Sequence, residues 1–143
     1  MHSKIIPFPE QNVDVELFLF DLSGHEFYES IALGMAKNPD LLMVVYDCTN
    51  AESLKNGLKW LDKVKKLNNK SSIPGVMIGA KSEYKSAKEV PPEDGKKYAD
   101  KIGLEFFEVS AVIFYLMQAY NTNIEQPFQC LANKVLGMGS TSI

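Results

Sequence analysis

Leu41-Leu42-Met43-Val44-Val45-Tyr46-Asp47 runs directly into Cys48-Thr49-Asn50-Ala51-Glu52, and this stretch decides the fold. A continuous apolar run of this length, without alternation, reads as a strand covered on both faces, the kind a parallel sheet contains. Thr49-x-x-Glu52 then reads as a capping box. Leu54, Leu58, Leu61 and Val64 recur on one face of the helix it opens, and the lysines between Lys59 and Lys70 form the wet face. A buried strand passing into an amphipathic helix is the unit from which α/β domains are built.

Working outward, Ile5, Ile6 and Phe8 precede a polar turn at Glu10-Gln11-Asn12. Val15, Leu17 and Leu19 then alternate with Glu16, Phe18 and Phe20, which predicts a β hairpin over residues 3–20. Val76-Met77-Ile78-Gly79, entered from Pro74-Gly75, reads as a short central strand. Pro92 opens a further helix with Tyr98, Ala99 and Ile102 inside, and Gly103 stops it. Residues 104–109 form the last strand, and a final helix from Ile124 to Leu136 buries Phe128, Leu131 and Val135. The pattern predicts one three-layer α/β domain with a mostly parallel sheet. Fifteen Lys and Arg against eighteen Asp and Glu leave a net charge of -3, which argues against a nucleic-acid binder. Cys48 and Cys130 are far apart and form no C-x-x-C pair, so no zinc or redox motif is indicated. No apolar run approaches membrane-spanning length, and the last residues carry no prenylatable cysteine, so no lipid anchor is expected.

Polar motifs fall just beyond the C-terminal ends of the strands, where open α/β sheets bind ligands. Asp21-Leu22-Ser23-Gly24 offers a carboxylate suited to magnesium and a glycine whose amide can approach a phosphate, although Asp and Gly are also ordinary turn formers. Gly79-Ala80-Lys81-Ser82-Glu83 follows the second strand end, and Glu108-Val109-Ser110-Ala111 the third. The chain contains no G-x-x-x-x-G-K-[ST]. No hydroxyl or thiol stands beside a plausible general base, so a nucleophile triad is not indicated.

In order and spacing these motifs resemble those of small GTPases of the Ras/Rab kind. Ala80-Lys81-Ser82-Glu83 is similar to the Asn-Lys-x-Asp base signature, with Ala80 lacking the amide and Glu83 one methylene longer than the family's Asp. Ser110-Ala111 resembles the third guanine loop, and His25 stands where the family has its water-positioning Gln, so no catalytic residue is assigned. The resemblance implies GTP or GDP held by Gly24, Ala80, Lys81, Glu83, Ser110 and Ala111, with magnesium at Asp21. Val45-Tyr46-Asp47-Cys48-Thr49-Asn50-Ala51-Glu52-Ser53, Trp60-Leu61-Asp62-Lys63 and Pro127-Phe128-Gln129-Cys130-Leu131-Ala132 look like one subfamily. It is the Rab-like GTPase subunits, number 27, of the intraflagellar transport B complex. That resemblance implies a place in cytoplasm and cilium, a small β-sandwich partner (subunit 25), other train subunits, and a link to the BBSome.

Set against the family pattern, the chain reads as amino-terminally truncated. The expectation is an incomplete domain over 1–136, without the first strand, phosphate loop and first helix, followed by a flexible tail over 137–143. With those parts missing, impaired GTP binding, no useful hydrolysis and action through protein contacts are expected. The alternative is an active GTP-binding and GTP-hydrolysing switch in trafficking. Val112–Tyr120 is an apolar stretch where the family has a polar connection.

Overall fold

The computed structural model describes residues 1–110 and 124–137. Ala111, the apolar stretch Val112–Tyr120 and most of the expected tail lie outside the described residues.

β1 (His2–Phe8) and β2 (Val13–Leu19) pair antiparallel with Ile6 opposite Val15. They are joined by a tight turn at Pro9–Gln11, with Asn12 left-handed at φ 53°, a conformation Asn tolerates better than most residues. A short helix, α1 (Glu29–Met35), follows. β3 (Leu42–Asp47), β4 (Gly75–Ala80) and β5 (Glu105–Glu108) form a parallel sheet in that order, with Leu42 opposite Gly75 and Val76 opposite Glu105. α2 (Ala51–Leu67) and α3 (Pro92–Ile102) make the crossovers, and α4 (Glu125–Val135) ends the described chain.

Three layers result. On one face of the parallel sheet, Val44, Tyr46 and Met77 pack against Leu54 and Leu61 of α2, Ala99 of α3, and Leu104. On the other, Val76 and Ile78 meet Leu131 and Ala132 of α4, together with Ile6, Phe8, Val15 and Leu17 of the hairpin. Each large aliphatic side chain so buried contributes about 1.5–3 kcal/mol.

Several expectations are corrected. The strands do not form one mostly parallel sheet. Among the described residues the hairpin is an antiparallel two-stranded sheet and β3–β5 a parallel one, so the strand content is mixed. The cap of α2 is Asn50, whose Oδ1 accepts from the amides of Glu52 (3.0 Å) and Ser53 (3.2 Å). Thr49 is not the cap because its hydroxyl donates to Asp47 instead, at 2.7 Å. Tyr98 and Val135, expected inside, are 41% and 53% exposed. Gly103 does stop α3, left-handed at φ 74°, with the Leu104 amide closing back onto the Ala99 carbonyl.

Both cysteines are free thiols. Burial, then the neighbouring Glu108 carboxylate, pushes Cys48 up to about 11; burial and Glu105 push Cys130 up to about 12. An unfolded thiol ionises near about 8.5, so above that pH the unfolded chain has released protons the folded chain still holds. Stability therefore falls as pH rises from about 8.5, and this loss ends only near the folded values. A melting temperature steady from pH 7 to 8 and several degrees lower by about pH 10.5 is expected, with a shallower slope for Cys48→Ala. An unchanged melting temperature across that range would contradict it.

Candidate functional site

The C-terminal ends of β3, β4 and β5 lie side by side, and backbone hydrogen bonds stitch their loops together. The Val109 amide donates to the Gly79 carbonyl (2.9 Å), Ser82 to Val109 (3.2 Å), and Cys48 to Ala80 (3.0 Å). Lys81 turns the chain out of β4 in the left-handed region, at φ 62°. Ser110, just past β5, is buried.

Below this loop lies a cavity of about 280 Å³. Ala80, Lys81, Glu83 and Val109 line it at the strand ends, together with Val45 and Ile78 of the sheet and Ile124, Pro127 and Phe128 at and before α4. Glu83 Oε2 is buried and has no hydrogen-bond partner among the described residues. An acceptor taken from water without a donor costs about 1–3 kcal/mol, more when charged, so a ligand that brought a donor to this carboxylate would be favoured. The N1–H and 2-amino groups of guanine lie on one ring edge and are donors a carboxylate can accept from. The apolar cavity walls suit a flat ring. The residues present therefore fit the base of a guanine nucleotide.

The other expected site residues are spread over a second loop. Asp21 and Gly24 are exposed beyond β2, and the indole N–H of Trp60 on α2 donates to the Gly24 carbonyl at 3.3 Å. Lys63, one helical turn on from Trp60, pairs with Glu29 at 2.6 Å, so α2 holds both ends of this segment. No hydrogen bond joins Asp21 or Gly24 to the Lys81–Glu83 loop among the described residues. Nor do three or more His, Cys, Asp and Glu side chains converge there as a metal cluster. A magnesium ion at Asp21 would draw its other ligands from phosphate and water. His25 caps the tight turn that follows it: its Nδ1 accepts from the Phe27 amide at 3.2 Å. That bond engages one ring nitrogen in a structural role.

Sequence reasoning missed the charged side chains that fasten the loops. Lys81 Nζ pairs with Asp47 Oδ2 at 2.6 Å, and Asp47 Oδ1 accepts from the Thr49 amide (2.8 Å) and hydroxyl (2.7 Å). Burial works to raise the Asp47 carboxyl, but the hydrogen bonds from Lys81 and Thr49 outweigh it and hold it below the ordinary carboxylate range. Lys88 grips both oxygens of Glu108 at 2.8 and 2.9 Å, and the Cys48 thiol donates to the same carboxylate at 3.6 Å. The available signal was positional: Asp47 and Glu108 both end parallel strands.

A family model described as the Ras family matches residues 2–137. The intraflagellar transport protein 27 homolog of Mus musculus is 36% identical over 131 residues, covering 92% of this chain and 67% of the relative. The Homo sapiens homolog is 35% identical over the same spans. The Ras-related protein RABD1 of Arabidopsis thaliana is 29% identical over 132 residues, 92% of this chain and 60% of that protein. A match running from residue 2 to 137 takes in nearly the whole chain. It corrects the expectation of a truncated fragment defined by a missing first strand, phosphate loop and first helix, although the sequence itself still holds no G-x-x-x-x-G-K-[ST]. The expectations of impaired GTP binding and of a catalytically inactive chain rested on that truncation and are withdrawn with it.

Proposed function

The chain belongs to the Ras family, and we propose that it acts as a Rab-like guanine-nucleotide switch of ciliary transport, in cytoplasm and cilium. The observation that carries the nucleotide reading is Glu83, a lining residue of the cavity at the strand ends, one of whose oxygens is buried with no hydrogen-bond partner among the described residues. The ciliary part is supported by the likeness to the intraflagellar transport protein 27 homologs.

In this reading Glu83 accepts from the guanine edge and the aliphatic stem of Lys81 lies along the ring. The backbone at Ser110, just past β5, caps the purine oxygen. Gly24 lets its amide approach the terminal phosphate, and Asp21 faces magnesium. GTP supplies the cleavable phosphoanhydride. His25, already committed to the Phe27 amide, keeps the switch turn in shape and is not assigned a proton-transfer role. The segment after it presents Phe27, Ile31 and Met35 at 79%, 63% and 52% exposure, an apolar surface of the kind protein contacts use. The proposed partners are a small β-sandwich subunit of the same transport complex, other train subunits and the BBSome.

The test is fluorescent GTP titrated into the purified chain with magnesium, followed by phosphate release from bound GTP. Saturable, magnesium-strengthened binding with slow release is expected. No saturable binding would remove the switch reading.

A further inference from the structure

The loop that carries Glu83 has an unusual anchor. In the family signature the residue at position 80 is an Asn that ties neighbouring loops together, and Ala80 has no such group. The loop is nonetheless turned sharply, with Lys81 left-handed at φ 62°, a conformation a residue with a side chain holds only when its surroundings enforce it. Backbone bonds on either side, from Cys48 to Ala80 and from Ser82 to Val109, hold the turn, and one side-chain contact adds to them. Lys81 Nζ lies 2.6 Å from Asp47 Oδ2. Asp47 in turn is fixed from three directions, by the Thr49 amide and hydroxyl on Oδ1 and by Ser53 Oγ, which accepts from its amide at 2.9 Å.

We infer that Asp47 is a positioning residue of the base site: through Lys81 it holds residues 80–83 in the turn that aims the Glu83 carboxylate into the cavity. The inference rests on the guanine reading above and extends it to a residue outside the binding loop. The side chains are 56% (Lys81) and 23% (Asp47) exposed, and an ion pair so placed adds little to global stability. Its effect falls on the geometry of the loop. A shift of about an ångström in Glu83 weakens the bonds to both donors of a base, while a general loss of structure weakens every nucleotide alike.

The test compares the wild-type chain with Asp47→Asn and Asp47→Glu. Fluorescent GDP should dissociate about tenfold faster from Asp47→Asn, the loss of one well-placed charged hydrogen bond. The preference for GDP over IDP, which lacks the 2-amino donor, should fall with it. The melting temperature should stay nearly constant, and Asp47→Glu should restore much of the wild-type behaviour. Hydrogen exchange at the Ser82 and Tyr84 amides, which donate to Val109 and Lys81, should quicken in Asp47→Asn with or without nucleotide. Unchanged dissociation and preference in Asp47→Asn would overturn the inference. So would equal losses for GDP and IDP accompanied by a lowered melting temperature. If the wild-type chain binds no guanine nucleotide, the switch reading fails, and exchange at Ser82 and Tyr84 still decides whether Asp47 fixes the loop.

Discussion

Gly75→Ala lowers the unfolding free energy by about 3 kcal/mol or more, among the larger effects a single methyl group can have. Gly75 opens β4 directly opposite Leu42 of β3. A Cβ placed there would collide with the Leu42 carbonyl oxygen and stand 2.9 Å from its carbon and 3.0 Å from its nitrogen. All three atoms are backbone, so no rotamer change relieves the contact. The methyl group fits only if β3 and β4 part, and β4 carries Val76 and Met77, both fully buried. Gly34→Ala is the control. Gly34 lies in α1, and a methyl group at that position would meet nothing within 4 Å, so there the same change adds up to about 1 kcal/mol through helix propensity. Denaturant unfolding of both variants measures the pair. A Gly75→Ala loss below about 1 kcal/mol would show that the pairing of β3 with β4 is looser than this register requires.

Glu83→Ala weakens guanine-nucleotide binding by about a hundredfold or more while leaving the fold intact. A carboxylate accepting from two donors contributes about 1.5–3 kcal/mol per charged hydrogen bond, and each 1.4 kcal/mol is tenfold in affinity. Without nucleotide the change removes a buried oxygen that has no partner among the described residues, so stability should rise slightly or stay constant. That combination, affinity lost and stability kept, separates a ligand-reading group from a structural one. Equilibrium titration with fluorescent GDP and a thermal melt of the same samples measure both sides. Equal affinity in the two proteins would remove Glu83 from the site.

Much of this architecture was legible in local patterns. Unbroken apolar runs at Leu41–Asp47 and Val76–Gly79 announced parallel strands, buried throughout in the second run but not in the first, where Val45 is 53% exposed; the spacing of Leu54, Leu61 and Val64 announced the buried face of α2. Motifs at strand ends located the Ala80–Glu83 loop beside Ser110. What was not legible depends on distant pairing or on competition between similar groups. The hairpin itself was legible, but its standing as a sheet apart from β3–β5 is a matter of long-range hydrogen bonding, which periodicity does not encode. Thr49 and Asn50 are both capable caps, and Asp47 decides between them by accepting the Thr49 hydroxyl. Lys81 and Asp47 meet only because β3 and β4 run in register, Asp47 beside Ala80. The truncation reading failed on a different ground: it rested on one loop motif set against a family pattern, whereas the family match extends over residues 2–137.

The most direct measurement of the central claim is competition for the fluorescent-nucleotide site of the wild-type chain by GDP, IDP and ADP. Glu83 reading two donors on one ring edge predicts GDP as the strongest competitor. IDP, with one donor removed, is weaker by about tenfold, and ADP, which presents an acceptor at N1, is ineffective at comparable concentration. Equal competition by GDP and ADP, or no displaceable binding at all, would contradict the claim that this cleft recognises guanine.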